Sequence, residues 1–179
     1  GTAMTTETVT STGGAVVSYS VSPSLPAGLS LDASTGAISG TPTAVTPSAS
    51  YTITATNTGG TDTASMTIVV NDVVPSNLAY SPNTFTLTKG TQMTSVSPTA
   101  NGGTIISYSV SPSLPAGLSL DTSTGTISGT PTAVTSSASY TITATNTGGD
   151  DTATVTIVVN DIAPSISYST TSYTLTKGT

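Results

Sequence analysis

Any reactive chemistry in this chain would have to come from eight carboxylates and two amines. These are Glu7, Asp32, Asp62, Asp72, Asp121, Asp150, Asp151 and Asp161, with Lys89 and Lys177. His and Cys are absent, so a serine nucleophile has no imidazole base, and thiolate metal sites have no ligands. A paired-carboxylate mechanism needs two acids held about 5–9 Å apart. The sole Glu has no counterpart in the second half of the chain, where Val96 takes its place. An isopeptide crosslink from Lys89 or Lys177 to Asn or Asp is conceivable, but each Lys precedes a Gly, the signature of a solvated turn. The sequence names no reaction and predicts no enzyme.

Hard oxygen ligands are the remaining chemistry. Asp72 and Asp161 each follow an Asn and stand just before Val74-Pro75 and Ala163-Pro164, while Asp32 and Asp121 sit in Leu-Asp-x-Ser-Thr-Gly runs. These four are the candidate Ca²⁺ ligands. Calcium takes six to eight oxygens, and only one or two Asp are visible at each junction. The competing role is capping of turns and strand ends by the Asp side chains. No other cofactor is expected. Asp150-Asp151 reads as a solvated turn flanked by Gly.

The charge balance removes whole classes of partner. The formal net charge is −6, with two Lys, no Arg, and only 6% charged residues. Phosphates would find nothing to neutralise them, so no nucleic-acid partner is expected, and anionic membrane surfaces are disfavoured. No apolar run reaches membrane-spanning length and no signal peptide is present, which suggests a mature segment of a longer exported chain. Thr and Ser hydroxyls replace charge as the source of surface wetness, and β-branched Thr favours strands.

Elements that could position these residues follow from a period of two. Ser18–Asp72 returns as Ser107–Asp161, 89 residues on, with six differences in 55 positions. That spacing fits one small domain, so the chain is a tandem array. Within the copy from Pro75, Leu78–Tyr80 and Thr84–Thr88 read as a split first strand broken at Ser81-Pro82-Asn83, with Tyr80, Phe85 and Leu87 inward. Met93–Val96 is a further short strand, and Ile106, Tyr108 and Val110 share a face of the next. Gly117–Leu120 and Thr126–Ser128 flank an Asp-Thr-Ser-Thr-Gly turn. Tyr140, Ile142 and Ala144 alternate with Thr141, Thr143 and Thr145, then Ala153, Val155, Ile157 and Val159 with Thr152, Thr154, Thr156 and Val158, and the two runs join at a Gly-rich turn as a hairpin. The prediction is all-β: tandem antiparallel Ig-like or cadherin-like sandwiches.

The runs Leu25–Asp32, Ser34–Pro42 and Tyr51–Asn57, with their second copies, resemble the He_PIG-type Ig-like repeats of bacterial surface proteins, relatives of the cadherin-like group. The resemblance covers essentially the whole chain. It implies tandem extracellular domains in adhesins, large surface proteins or appendages of secreted enzymes.

The repeat frame is offset. Gly1-Thr2 aligns with Gly90-Thr91, so residues 1–74 are read as a sandwich without its first strand and 75–163 as a complete one. Residues 164–179 repeat that first strand with one residue omitted before Tyr168. Ile166, Tyr168, Tyr173 and Leu175 would be its inward positions and form the candidate self-assembly strand. The partner is then a further copy of the chain or an adjacent repeat, and the product a surface fibre or adhesin stalk built head to tail. The alternative is a ligand- or carbohydrate-binding adhesin module using loops such as Pro23–Pro26 and Pro112–Pro115. All seven Tyr, however, fall at inward or strand positions, which argues against an exposed aromatic platform. No external receptor is indicated.

Overall fold

A strand that alternates apolar and hydroxyl residues has one dry face, and two such faces bury each other as stacked sheets. The computed structural model, which describes residues 1–178, has that architecture twice and no helix among the described residues. In the first unit, β1 (Met4–Glu7), β3 (Leu29–Leu31) and β4 (Ile38–Gly40) form one sheet, with β4 central. Its partner sheet holds β2 (Ser18–Ser22), β5 (Thr46–Asn57) and β6 (Gly60–Val70), with β5 central.

The second unit repeats this plan and adds to it. Here β10 (Ser107–Ser111), β13 (Thr135–Asn146) and β14 (Gly149–Asn160) stand where β2, β5 and β6 stand in the first. β11 (Leu118–Leu120) and β12 (Ile127–Gly129) pair as β3 and β4 do. The additions are β7 (Ser76–Ala79), β8 (Thr84–Thr88) and β9 (Thr99–Asn101). β7 pairs antiparallel with β9, and β8 then joins the free edge of β14. The predicted split of the first strand is therefore present, with Ser81-Pro82-Asn83 as the break.

Four particulars differ from the sequence-based expectation. β8 runs parallel to β14, over Thr84–Thr88 against Thr156–Asn160, so the sandwich is not wholly antiparallel. Most of the unit lies between these two strands, which is the long connection that parallel pairing needs. Met93–Val96 makes only an isolated bridge, Val96 to Ile127, and the short strand lies further on at β9. Ile106 is 63% exposed, because it sits beyond the first rung of the β10–β13 ladder, Ser107–Thr145. Ile105 packs on the core in its place. Asp150 and Asp151 belong to β14, the turn being Thr147-Gly148 between the paired Asn146 and Gly149.

The added strands close the core. In the second unit Leu78, Tyr80 and Phe85 join Tyr108, Ile127, Ile142, Val155, Ile157 and Val159 in one buried cluster. The Tyr80 hydroxyl donates to the carbonyl of Gly125, and burial beside Tyr108 pushes its ionisation well above the usual tyrosine range. The first unit has no strand in the places of β7 and β8 among the described residues, and its buried cluster shrinks to Tyr19, Ile38 and Ile53. Val70 and Ala55 are only half-buried, whereas their counterparts Val159 and Ala144 are buried.

Candidate functional site

Asp32 and Asp121 are turn residues. Asp32 Oδ1 accepts from the amides of Ser34 and Thr35 at 2.7 and 3.1 Å, and Asp121 Oδ1 from those of Ser123 and Thr124 at 2.8 and 3.0 Å. Side-chain acceptance from backbone donors two and three residues on holds the Ser-Thr-Gly turn. These amides, led by Ser34 for Asp32 and by Thr124 for Asp121, hold both carboxyls below the usual 3.8. A carboxylate with a depressed folded-state pKa stabilises the fold above its unfolded value, and that contribution is lost as pH falls through the folded value. The stability difference between the wild-type chain and D32N/D121N, measured by urea unfolding, is therefore expected to be full at pH 7. It should vanish on acidification below the ordinary carboxylate range. A difference independent of pH would contradict it.

Asp72 has a different task. It is the anchor of the segment that enters the second unit. Its amide donates to Thr147 Oγ1 at 2.9 Å, and its Oδ2 accepts from the Thr104 amide at 3.0 Å. The next carbonyl, of Val73, accepts from the Gly103 amide at 2.9 Å and from Asn146 Nδ2 at 2.8 Å. Asn146 is buried, and its Oδ1 accepts from Gly148 and Gly149, which fixes the amide's orientation. Further along, the Leu78 amide donates to Asp151 Oδ2 at 2.8 Å. Two loops, 101–104 and 146–149, thus grip the backbone of 72–74, and an acid on β14 receives the start of the first strand.

Glycine makes the close approach feasible. A Cβ on Gly103 would overlap the Asp72 carboxylate, and one on Gly148 would overlap the Asp72 carbonyl. Of these glycines, the sequence marks Gly148 as part of a Gly-rich turn. Their role in admitting a second backbone needs the folded junction to be seen.

The same receptor recurs in the first unit, 89 residues earlier. Gly14, Asn57, Thr58, Gly59 and Asp62 stand where Gly103, Asn146, Thr147, Gly148 and Asp151 do. Asn57 Oδ1 again accepts from the glycine two residues on, at 2.8 Å, and Asp62 Oδ1 accepts from Thr63 as Asp151 Oδ1 does from Thr152. Around these residues lies a groove of about 440 Å³, floored by Tyr19, Ile53 and Ala55 and rimmed by Val9–Thr12, Asn57 and Thr61–Ala64. Its walls offer a free sheet edge on β6, the segment 10–12 in the place of β9, which belongs to no strand, and the Asp62 carboxylate.

The remaining residues singled out from sequence lie apart. Asp161 Oδ1 accepts from the Ile162 amide as Asp72 Oδ1 does from Val73, both within 0.1 Å of each other in length, 2.9 and 2.8 Å. Ile166, Tyr168, Tyr173 and Leu175 are all more than 70% exposed and belong to no strand, and Thr179 lies outside the described residues. Tyr168 and Tyr173 thus depart from the expected inward placement, while Tyr19, Tyr51, Tyr80, Tyr108 and Tyr140 are buried. The structure does not bring Asp32, Asp72, Asp121 and Asp161 together, and no group of three acids forms among the described residues. No helix among them is long and apolar enough to cross a membrane.

Residues 1–71 and 74–160 each match the He_PIG family, described as "Putative Ig domain". No curated protein matches the chain. Solved structures similar to it include the extracellular cadherin domains 1–4 of Protocadherin Gamma B7, at 18% identity and a TM-score of 0.37, covering 82% of this chain and 42% of that one. Extracellular domains 3–5 of Drosophila OTK align at 19% identity and a TM-score of 0.42, covering 76% and 47%. The chain therefore spans less than half the length of either.

Proposed function

From a chain that belongs to the He_PIG family of Ig-like domains, we propose a non-enzymatic structural role: a repeat of an extracellular surface fibre or adhesin stalk, bacterial in origin. It lengthens head to tail by strand complementation. The segment 161–176 of one repeat completes the sandwich of the next, as 72–88 completes the second unit here. The observation that carries this reading is the shared receptor. The groove of the first unit keeps the same Gly, Asn, Thr and Asp groups that grip Asp72–Leu78 in the second. An edge strand and an apolar floor together are what β-strand addition requires, with backbone bonds supplying affinity and side-chain pockets specificity.

The donated segment has matching features. Asp161 occupies the place of Asp72, and Ile166, Tyr168, Tyr173 and Leu175 those of Leu78, Tyr80, Phe85 and Leu87. Such a contact is heterologous, so copies joined through it grow as an open chain. Deletion of Pro164–Thr179 is expected to leave monomers by sedimentation velocity and isolated particles by electron microscopy. Assemblies that persist without those residues would refute strand donation.

A further inference from the structure

Two departures from the repeat bear on the same contact, and from them we infer that the first unit is selective for the 161–176 segment of a second copy of this chain. The inference rests on the strand-donation reading above.

The first departure is a pair of substitutions. In the second unit Phe85 and Val96 line one cavity of about 420 Å³. Glu7 replaces Val96 in the first unit and sits in the same register, opposite Ile38 as Val96 is opposite Ile127. Tyr173 replaces Phe85 in the donated segment. Docked in the register of β8, Tyr173 carries its hydroxyl toward the position that Val96 holds in the second unit, where the first unit has the exposed Glu7. The hydroxyl donates to the carboxylate, a charge-assisted bond of the stronger kind. An aromatic without a hydroxyl would instead cover the Glu7 charge and leave it unpaired, which is unfavourable. The pair therefore favours Tyr173 of another copy over a segment of the Phe85 type.

The second departure is the omitted residue. β7 and β9 slip register between Ser76–Asn101 and Ala79–Thr99, three steps on one strand against two on the other. The extra residue of that bulge is Asn77, the one non-Gly residue with positive φ, 56°, among the described residues. The donated segment lacks this residue and no other. It can pair with residues 10–12 as a regular ladder, keeping Ile166 and Tyr168 on the inward face. A one-residue omission elsewhere in a strand would turn every following side chain to the wrong face.

The test is a double-mutant cycle on self-association of the full chain by sedimentation velocity over a range of concentrations, with E7V, Y173F and E7V/Y173F. E7V reproduces the Val96 of the second unit, so folding is retained and is checked by circular dichroism. Each single variant is expected to weaken association about 10- to 100-fold. The double variant, which restores the Val–Phe pair of the internal junction, should return to within about threefold of wild type. Single effects that multiply in the double variant, or singles that match wild type, would overturn the selectivity pair while leaving strand donation intact. A wild-type chain that stays monomeric, or a chain without 164–179 that associates equally well, would overturn the donation reading and this inference with it. Tail amides protected from exchange in a monomer would place the segment in its own first unit and overturn the second copy as occupant.

Discussion

Replacing Leu78 and Phe85 together by alanine is expected to unfold the second unit while the first keeps its own transition. Both side chains are buried in the cluster that β7 and β8 complete. Removing a buried Leu costs about 2–5 kcal/mol and a buried Phe about 3–5 kcal/mol. Together these reach the whole stability of a small domain, about 5–15 kcal/mol. Calorimetry of the wild-type chain should show two transitions, the higher belonging to the unit with the extra strands. In the double variant the higher one should disappear. If it moved by only a few degrees, the first strand would not be what closes the sandwich, and the significance given to the groove of the first unit would go with it.

The second large effect is expected at Gly117. Its φ is +91°, and a Cβ there would overlap the Thr130 carbonyl, whose residue in turn donates its amide to Gly117 at 3.0 Å. Gly129 is bound into the same contact, since its own Cβ would strike the Gly117 carbonyl. Gly117→Ala therefore combines a left-handed backbone with a collision between backbones, and a loss of about 3 kcal/mol or more is expected. Gly13 provides the control. Its φ is +103° but no atom lies near its Cβ position, so Gly13→Ala should show only the conformational penalty of about 1–2 kcal/mol. Chemical denaturation of the two variants separates the terms. Equal losses would mean that the crossing of the 117 and 129–130 backbones is not under steric constraint.

Alternation over Tyr140–Ala144 and Ala153–Val159 was readable because each of these strands carries its dry face without interruption, and all but Ala153 prove buried. The split first strand was readable for a similar reason, since a proline interrupts a run with inward aromatics on both sides. The reading failed where position depends on a partner far along the chain. Ile106 fits the alternating pattern, but the ladder to β13 begins one residue later. Asp150-Asp151 has turn composition, yet the adjacent Asn146–Gly149 pair has already closed the hairpin, so both acids extend β14. The candidate site was half legible. Asp72 was singled out at the junction for its oxygens, whereas its amide and carboxylate serve to fix the incoming backbone. Asp62, Gly14 and Gly59 attracted no notice, because a glycine that makes room for another chain segment looks like one that makes a turn. Only comparison of the two units, one filled and one open, distinguishes them.

The parallel placement of β8 beside β14 has a mechanical consequence. The chain enters the second unit ahead of β8 and leaves it after β14, and the two strands point the same way across five consecutive rungs, Thr84–Thr156 to Thr88–Asn160. Tension drawn through the unit from its two ends pulls these strands lengthwise past each other. All five rungs then carry the load at once and must break together, where a hairpin peeled from its end would give way one bond at a time. A unit loaded in this shear geometry resists stretching more than its thin core would suggest.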